Sequence, residues 1–237
     1  MTTFVLIHGA FRGGWAWVRV AERLRAAGHD VHTPSLTGMG DRAHLADRAV
    51  TLGTWVRDVA AVVELYDLIE VRLVGHSQGG LVVREAAGPL APRVTSVAYL
   101  DAPVPDIGER GVDLNPGGSP EDAALPPADL LIPSTPVSSG GDIDEDLAAW
   151  INERLCPTPF GPSLDPVTEP APDMPARVAF CRDTPTSYPC WVTRQRMDDA
   201  GATYDELSAG HDAPLSRPDL VADWLLGDSR RVRPGGG

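Results

Sequence analysis

The chain has 237 residues, 43% of them hydrophobic and 22% charged, enough for one α/β domain with a substantial core and an insertion. Its formal net charge of −13 argues against nucleic acid and an anionic membrane as partners, since both are met by basic patches. All 20 basic residues are arginine, which excludes any mechanism that forms a Schiff base on a lysine amine.

In chain order, residues 3–10 (TFVLIHGA) form a short apolar run ending in glycine, read as a buried strand. This start carries no basic stretch, so no signal peptide is expected, and no apolar run reaches membrane-span length. Residues 14–27 read as a helix with Trp17, Val20, Ala21 and Leu24 on one face and Gly28 as the stop. A strand over 30–34 and a glycine-containing loop over 35–45 follow. The next helix covers 51–67, with Trp55, Val59, Val62 and Tyr66 on one stripe. Residues 71–75 form a strand, 78–87 a helix and 94–103 a strand.

From 103 to 175 the alternation breaks. This stretch holds 15 of the chain's 23 prolines and one predicted helix, 143–155. The alternation resumes with a strand at 176–181, a helix at 192–200, a strand at 202–208 and a closing helix at 218–226. Strands and helices in alternation predict an α/β fold with a mostly parallel, doubly wound sheet. The core is expected over 1–102 and 176–228, an inserted cap over 103–175, and a disordered tail over 229–237.

The segment VRLVGHSQGGLVV spans residues 71–83 and sets Ser77 between glycines after a strand. Gly75-His76-Ser77-Gln78-Gly79 fits G-x-S-x-G, the turn that exposes a serine hydroxyl between a strand and a helix. The turn is sharp, so small residues are needed two before and two after the serine. The helix N-terminus then points the Gln78 N–H at any developing oxyanion. HGAF (8–11) directly after the first strand suits a second donor, the Ala10 N–H, with His8 shaping the loop. A base is needed late in the chain, and His211 in SAGHDAPLSRP is the late histidine; the other five precede or abut the turn.

With FVLIHGAFRGGWAW, PSLTGMGDRAHL, LVGHSQGG, AYLDAPVPD and GHDAPLSRP, the sequence resembles the α/β-hydrolase superfamily. The resemblance is to the branch of plant methyl-salicylate esterases, hydroxynitrile lyases and bacterial carboxylesterases, and it covers nearly the whole chain outside 108–174. It implies the α/β-hydrolase fold, a cap over the site, no cofactor, Ser77 as nucleophile, His211 as base, and Ala10 and Gln78 as oxyanion donors.

The acid departs from the plant pattern. That pattern places an aspartate in the loop after the strand at 177–181, where this chain has Pro185, with Asp183 two residues early. Asp101, at the end of the preceding strand, is the position that haloalkane dehalogenases use. Asp101 is preferred and Asp183 kept as the alternative; Asp212 is discounted because an extended segment would point it away from its neighbour His211.

The expected reaction is hydrolysis of a small-molecule carboxylic ester or lactone through an acyl-enzyme. Two alternatives stand beside it: a cofactor-independent lyase or cyclase of secondary metabolism using the same Ser–His pair, and a non-catalytic ligand-binding protein of the fold. The hydroxynitrile lyases of this branch use a cap lysine, which this chain lacks. Phe11, Arg12 and Trp150 are candidates for substrate contact, with an exposed surface role the preferred reading for Arg12. No HExxH motif or Cys/His cluster suggests a metal. Cys156, Cys181 and Cys190 read as reduced thiols in a cytoplasmic protein. A homodimer is left open.

Overall fold

The computed structural model describes residues 1–46, 50–119, 121, 124–171, 173–227 and 233–235. Six parallel strands build the sheet: β1 (Thr3–Ile7), β2 (Asp30–His32), β3 (Val71–His76), β4 (Val94–Leu100), β7 (Ala176–Cys181) and β8 (Tyr204–Leu207). The order is β2-β1-β3-β4-β7-β8, with β9 (Arg233–Gly235) antiparallel on the β8 edge. The tail expected to be disordered, 229–237, falls largely outside the described residues. Its three described residues instead pair their backbone with β8.

The helices lie on both faces. Phe4 and Leu6 point to one side, where Trp17 just before α1 (Val18–Ala26), Val20 and Leu24 of α1, and Leu220, Val221 and Trp224 of α7 (Pro218–Leu226) cover them. Val5 and Ile7 point to the other, under α2 (Leu52–Leu65) and α3 (Gly79–Ala86). Both sheet faces are therefore dry, which is why the strands read as unbroken apolar runs instead of alternating ones. Truncating a fully buried Trp55 or Trp17 to alanine is expected to cost about 3–5 kcal/mol.

Helix ends differ in places from the pattern. The first turn of the helix expected over 14–27 is a 3-10 turn, Gly14–Trp17. In α2 the buried stripe is Trp55, Val59 and Val63, while Tyr66 is 67% exposed. The helix ends at Leu65, and Asp67 takes a left-handed φ of 50° that turns the chain away. The helix α5 starts two residues before the expected position, at Cys190, and runs to Asp199.

Between β4 and β7, the insertion holds one α-helix among the described residues, α4 (Glu145–Asn152). It is shorter than the expected 143–155: it starts at Glu145, where the Asp144 side chain caps it by accepting from Leu147 N–H at 2.7 Å, and it ends at Asn152. The insertion also carries a two-strand pair, β5 (Leu131–Ile132) with β6 (Thr158–Pro159), and two 3-10 turns. A short α6 (Ala213–Ser216) follows β8. Among the described residues no helix is long and apolar enough to cross a membrane.

The sheet order reverses direction between β1 and β3. In open α/β sheets the crevice at that reversal, beyond the C-terminal strand ends, is where ligands bind.

Candidate active site

The β3 strand ends at His76, and Ser77 takes φ of 51° before α3 begins. A left-handed φ costs a non-glycine residue about 1–3 kcal/mol, and such strain persists only where neighbours enforce it. Here the Ser77 N–H is held by Leu100 O at 3.1 Å, and Ser77 O accepts from Gly80 N–H at 2.8 Å. The flanking glycines are needed for space. A Cβ on Gly75 would sit 2.6 Å from Gly79 O, and one on Gly79 would sit 2.6 Å from Ile7 O.

The β1 loop crosses directly over this turn. A Cβ on Gly9 would lie 2.7 Å from Ser77 Cβ. The parallel register pairs Ile7 with Gly75, so the two loops leave the sheet side by side. The Phe11 N–H is taken by the buried hydroxyl of Thr158 at 2.7 Å, and Cys156 N–H donates to Phe11 O at 3.2 Å. Insertion residues thus fix the loop from above. The Ala10 and Gln78 N–H groups have no acceptor among the described residues. His8 shapes the loop beneath: its Nδ1–H donates to Gly9 O at 2.8 Å and its Nε2 accepts from Leu36 N–H at 3.0 Å. Burial lowers this ring to about 4, so it is neutral.

His211 sits in the loop after β8. Its Nε2 is 2.9 Å from Ser77 Oγ and its Nδ1 is 2.6 Å from Asp101 Oδ2. Asp101 follows β4 with φ of 48° and is 1% exposed. Burial alone would raise its carboxyl. The hydrogen bond and charge of His211 outweigh that, joined by Thr184 Oγ1 at 2.5 Å and Cys181 N–H at 3.0 Å, and hold it below the usual carboxylate range. An ionised Asp101 accepts only, so Nδ1 carries the imidazole proton and Nε2 presents a lone pair to the Ser77 hydroxyl.

Asp183 is not brought to His211. Its side chain is 62% exposed and pairs with Arg182 at 3.5 Å. The β7 loop contributes the Thr184 hydroxyl to the site instead.

Arg12 is 8% exposed, contrary to the surface role preferred from sequence. Its Nη2 donates to both carboxylate oxygens of Asp212, at 2.8 and 3.0 Å, and its Nε donates to Oδ1 at 3.2 Å. The segment after His211 is not extended: Asp212 immediately precedes α6, and its carboxylate turns inward to the arginine. Trp150 does not line the cavity. It packs edge-on against Trp15 at 5.4 Å with the Arg154 guanidinium 4.2 Å over its ring.

The serine faces a cavity of about 400 Å³ whose walls include Phe11, Leu81, Val112, Ile132, Phe160 and Tyr188. A wider cleft of about 1110 Å³ shares Phe11, Tyr188 and His211 with it and extends to Asp142 and Arg182. Asp142, from the insertion, accepts from Gly210 N–H at 3.0 Å and so holds the residue next to His211.

Sequence reasoning missed His76, Thr158, Thr184 and Asp142. His76 was legible only as the variable position before the serine. Thr158, in the two-residue strand β6, and Thr184 and Asp142, in loops, carry no local signal. The single potential metal-donor group among the described residues is Asp101, Cys190 and His211.

A family model described as the alpha/beta hydrolase family matches residues 4–224. The carbendazim hydrolyzing esterase of Nocardioides sp. (strain SG-4G) is 40% identical over 168 residues, 66% of this chain and 69% of that protein. Methylesterase 7 of Arabidopsis thaliana is 33% identical over 106 residues, and the match spans only 41% of its length and 44% of this chain. An extracellular alpha/beta-hydrolase from a Paenibacillus species superposes with a TM-score of 0.76 over 97% of this chain and 100% of that one, at 20% identity, a likeness of fold.

Proposed function

The chain belongs to the alpha/beta hydrolase family, and from that membership we propose that it hydrolyses small carboxylic esters or lactones, with Ser77 as nucleophile, His211 as base and Asp101 as the acid. The observation that carries this reading is the unbroken line from Asp101 Oδ2 through both His211 nitrogens to Ser77 Oγ, at 2.6 and 2.9 Å.

Ser77 Oγ attacks the carbonyl carbon while His211 Nε2 takes its proton. Asp101 stabilises the imidazolium that forms and fixes the tautomer that can accept. The carbonyl oxygen becomes an oxyanion and turns to the Ala10 and Gln78 N–H groups; one such donor is worth about 3–4 kcal/mol in a serine hydrolase. His211 then protonates the leaving alcohol, which departs through the wider cleft. Water enters, gives a proton to Nε2 and releases the acid.

The apolar walls and the volume of about 400 Å³ support a compact, apolar or aromatic acyl group. The names of the relatives nominate carbendazim and methyl esters as first substrates to try. The three unpaired, buried cysteines support a reducing compartment, the cytoplasm.

The test is turnover of p-nitrophenyl, aryl and methyl esters, lactones and carbendazim by the protein and by Ser77→Ala, with rapid mixing to detect an acylation burst. Turnover lost in Ser77→Ala supports the reading. A folded protein inert on all of them overturns it and redirects attention to elimination or cyclisation.

A further inference from the structure

We propose that Asp101, Cys190 and His211 form a binding site for a thiophilic divalent cation of the Zn²⁺ type, and that an ion bound there switches the hydrolase off. The inhibitory half of this rests on the esterase reading; the site itself rests on geometry.

Three distant elements meet here: the end of β4 brings Asp101, the first residue of α5 brings Cys190, and the loop after β8 brings His211. One donor atom from each, a carboxylate oxygen, a thiol sulfur and an imidazole nitrogen, lies within 4.8 Å of the others. That mixed set is what Zn²⁺ accepts in tetrahedral sites. Mg²⁺ and Ca²⁺ want oxygen alone and are not suited to it. All three residues line the cavity of about 400 Å³, which supplies an entry path and room for water as a fourth ligand.

The Cys190 thiol hydrogen-bonds the Asp101 carboxylate. Cys190 is 2% exposed, and burial together with the Asp101 charge pushes its pKa well up, so an ion that binds there must displace the S–H proton. On binding, the Cys190 S–H proton passes to solvent and sulfur bonds the ion. The imidazole stays neutral, with the ion on one nitrogen and its single proton on the other. One proton is released per ion and no redox step occurs. Whichever nitrogen takes the ion, the lone pair needed by the Ser77 hydroxyl is gone, and Asp101 is engaged as a ligand.

The experiment titrates Co²⁺ into the full chain, into Ser77→Ala and into Cys190→Ala and Cys190→Ser, following the sulfur-to-cobalt charge-transfer absorption. In parallel, ZnCl₂ and MgCl₂ are titrated into the ester assay. The expected result is a charge-transfer band in the full chain and in Ser77→Ala that Zn²⁺ displaces and neither Cys190 variant shows. Zn²⁺ should inhibit the full chain, reversibly with chelator, and at about tenfold or more higher concentration in the folded Cys190 variant's residual activity. Mg²⁺ should not inhibit. No band in the full chain, a band surviving in both Cys190 variants, or equal Zn²⁺ inhibition in them would overturn the proposal. Because the absorption does not need turnover, it decides the site even if no ester is a substrate.

Discussion

The Nε2–H of His76 donates to the backbone carbonyl of His211 at 2.8 Å, and the two rings lie 4.8 Å apart. The residue before the serine thus holds the main chain of His211. His76→Phe keeps an aromatic ring but loses the donor. We expect kcat to fall about ten- to a hundredfold with KM within about twofold, as for a misplaced group in a preorganised site. Equal loss in KM would mean that His76 contacts substrate instead.

Stability should fall on acidification. Burial lowers His76 to about 3 and His8 to about 4, from 6.5 in the unfolded chain. Above that unfolded value both states are neutral and stability is unaffected by these rings. Below it the unfolded chain binds protons that the native protein refuses. Each ring then removes about 1.4 kcal/mol per pH unit, continuing down to its folded value. Urea midpoints followed from about pH 7.5 to about pH 4.5 should drop accordingly. A flat profile would show that the native rings protonate.

Asp101→Asn and Asp183→Asn separate the two carboxylates. In the first variant the new amide can donate to His211 and trap the wrong tautomer, so kcat should fall by about 10⁴, the size of effect seen for the same exchange in a serine protease triad. Asp183→Asn, altering a side chain 62% exposed, should change turnover less than about twofold. The reverse ranking would remove Asp101 from the mechanism.

Arg12→Leu leaves Asp212 buried without its cation. The two side chains are only 9% and 12% exposed, so the loss should be about 3–5 kcal/mol, read as a lower Tm. If Arg12 instead bound substrate anions, Tm would hold and KM for charged esters would rise.

Gly79→Ala tests the tightness of the serine turn. Its Cβ would press on backbone, Ile7 O at 2.6 Å and His8 O at 2.7 Å, neither of which can swing aside. Activity and Tm should both drop, whereas Gly28→Ala, with open space but a left-handed φ of 86°, should cost about 1 kcal/mol without touching turnover.

Much of the fold was legible because its signals are local. Apolar runs marked the strands, a 3.6-residue stripe marked α1 and α2, and small residues around Ser77 marked the turn. The boundaries that moved, at Tyr66, Cys190 and Asp144, depend on caps and on turns that periodicity does not report.

The alternating α/β architecture, the serine turn and a single late histidine are each written in residues close together along the chain. Which carboxylate meets His211, the pairing of Arg12 with Asp212, and the bracing of the site by Thr158 and Asp142 emerge from long-range contacts of the folded chain. Those contacts join residues 68 to 200 positions apart. They are set by strand order, by the parallel register that brings the ends of β1, β3 and β4 level, and by where the insertion folds back, and no window of sequence carries that information.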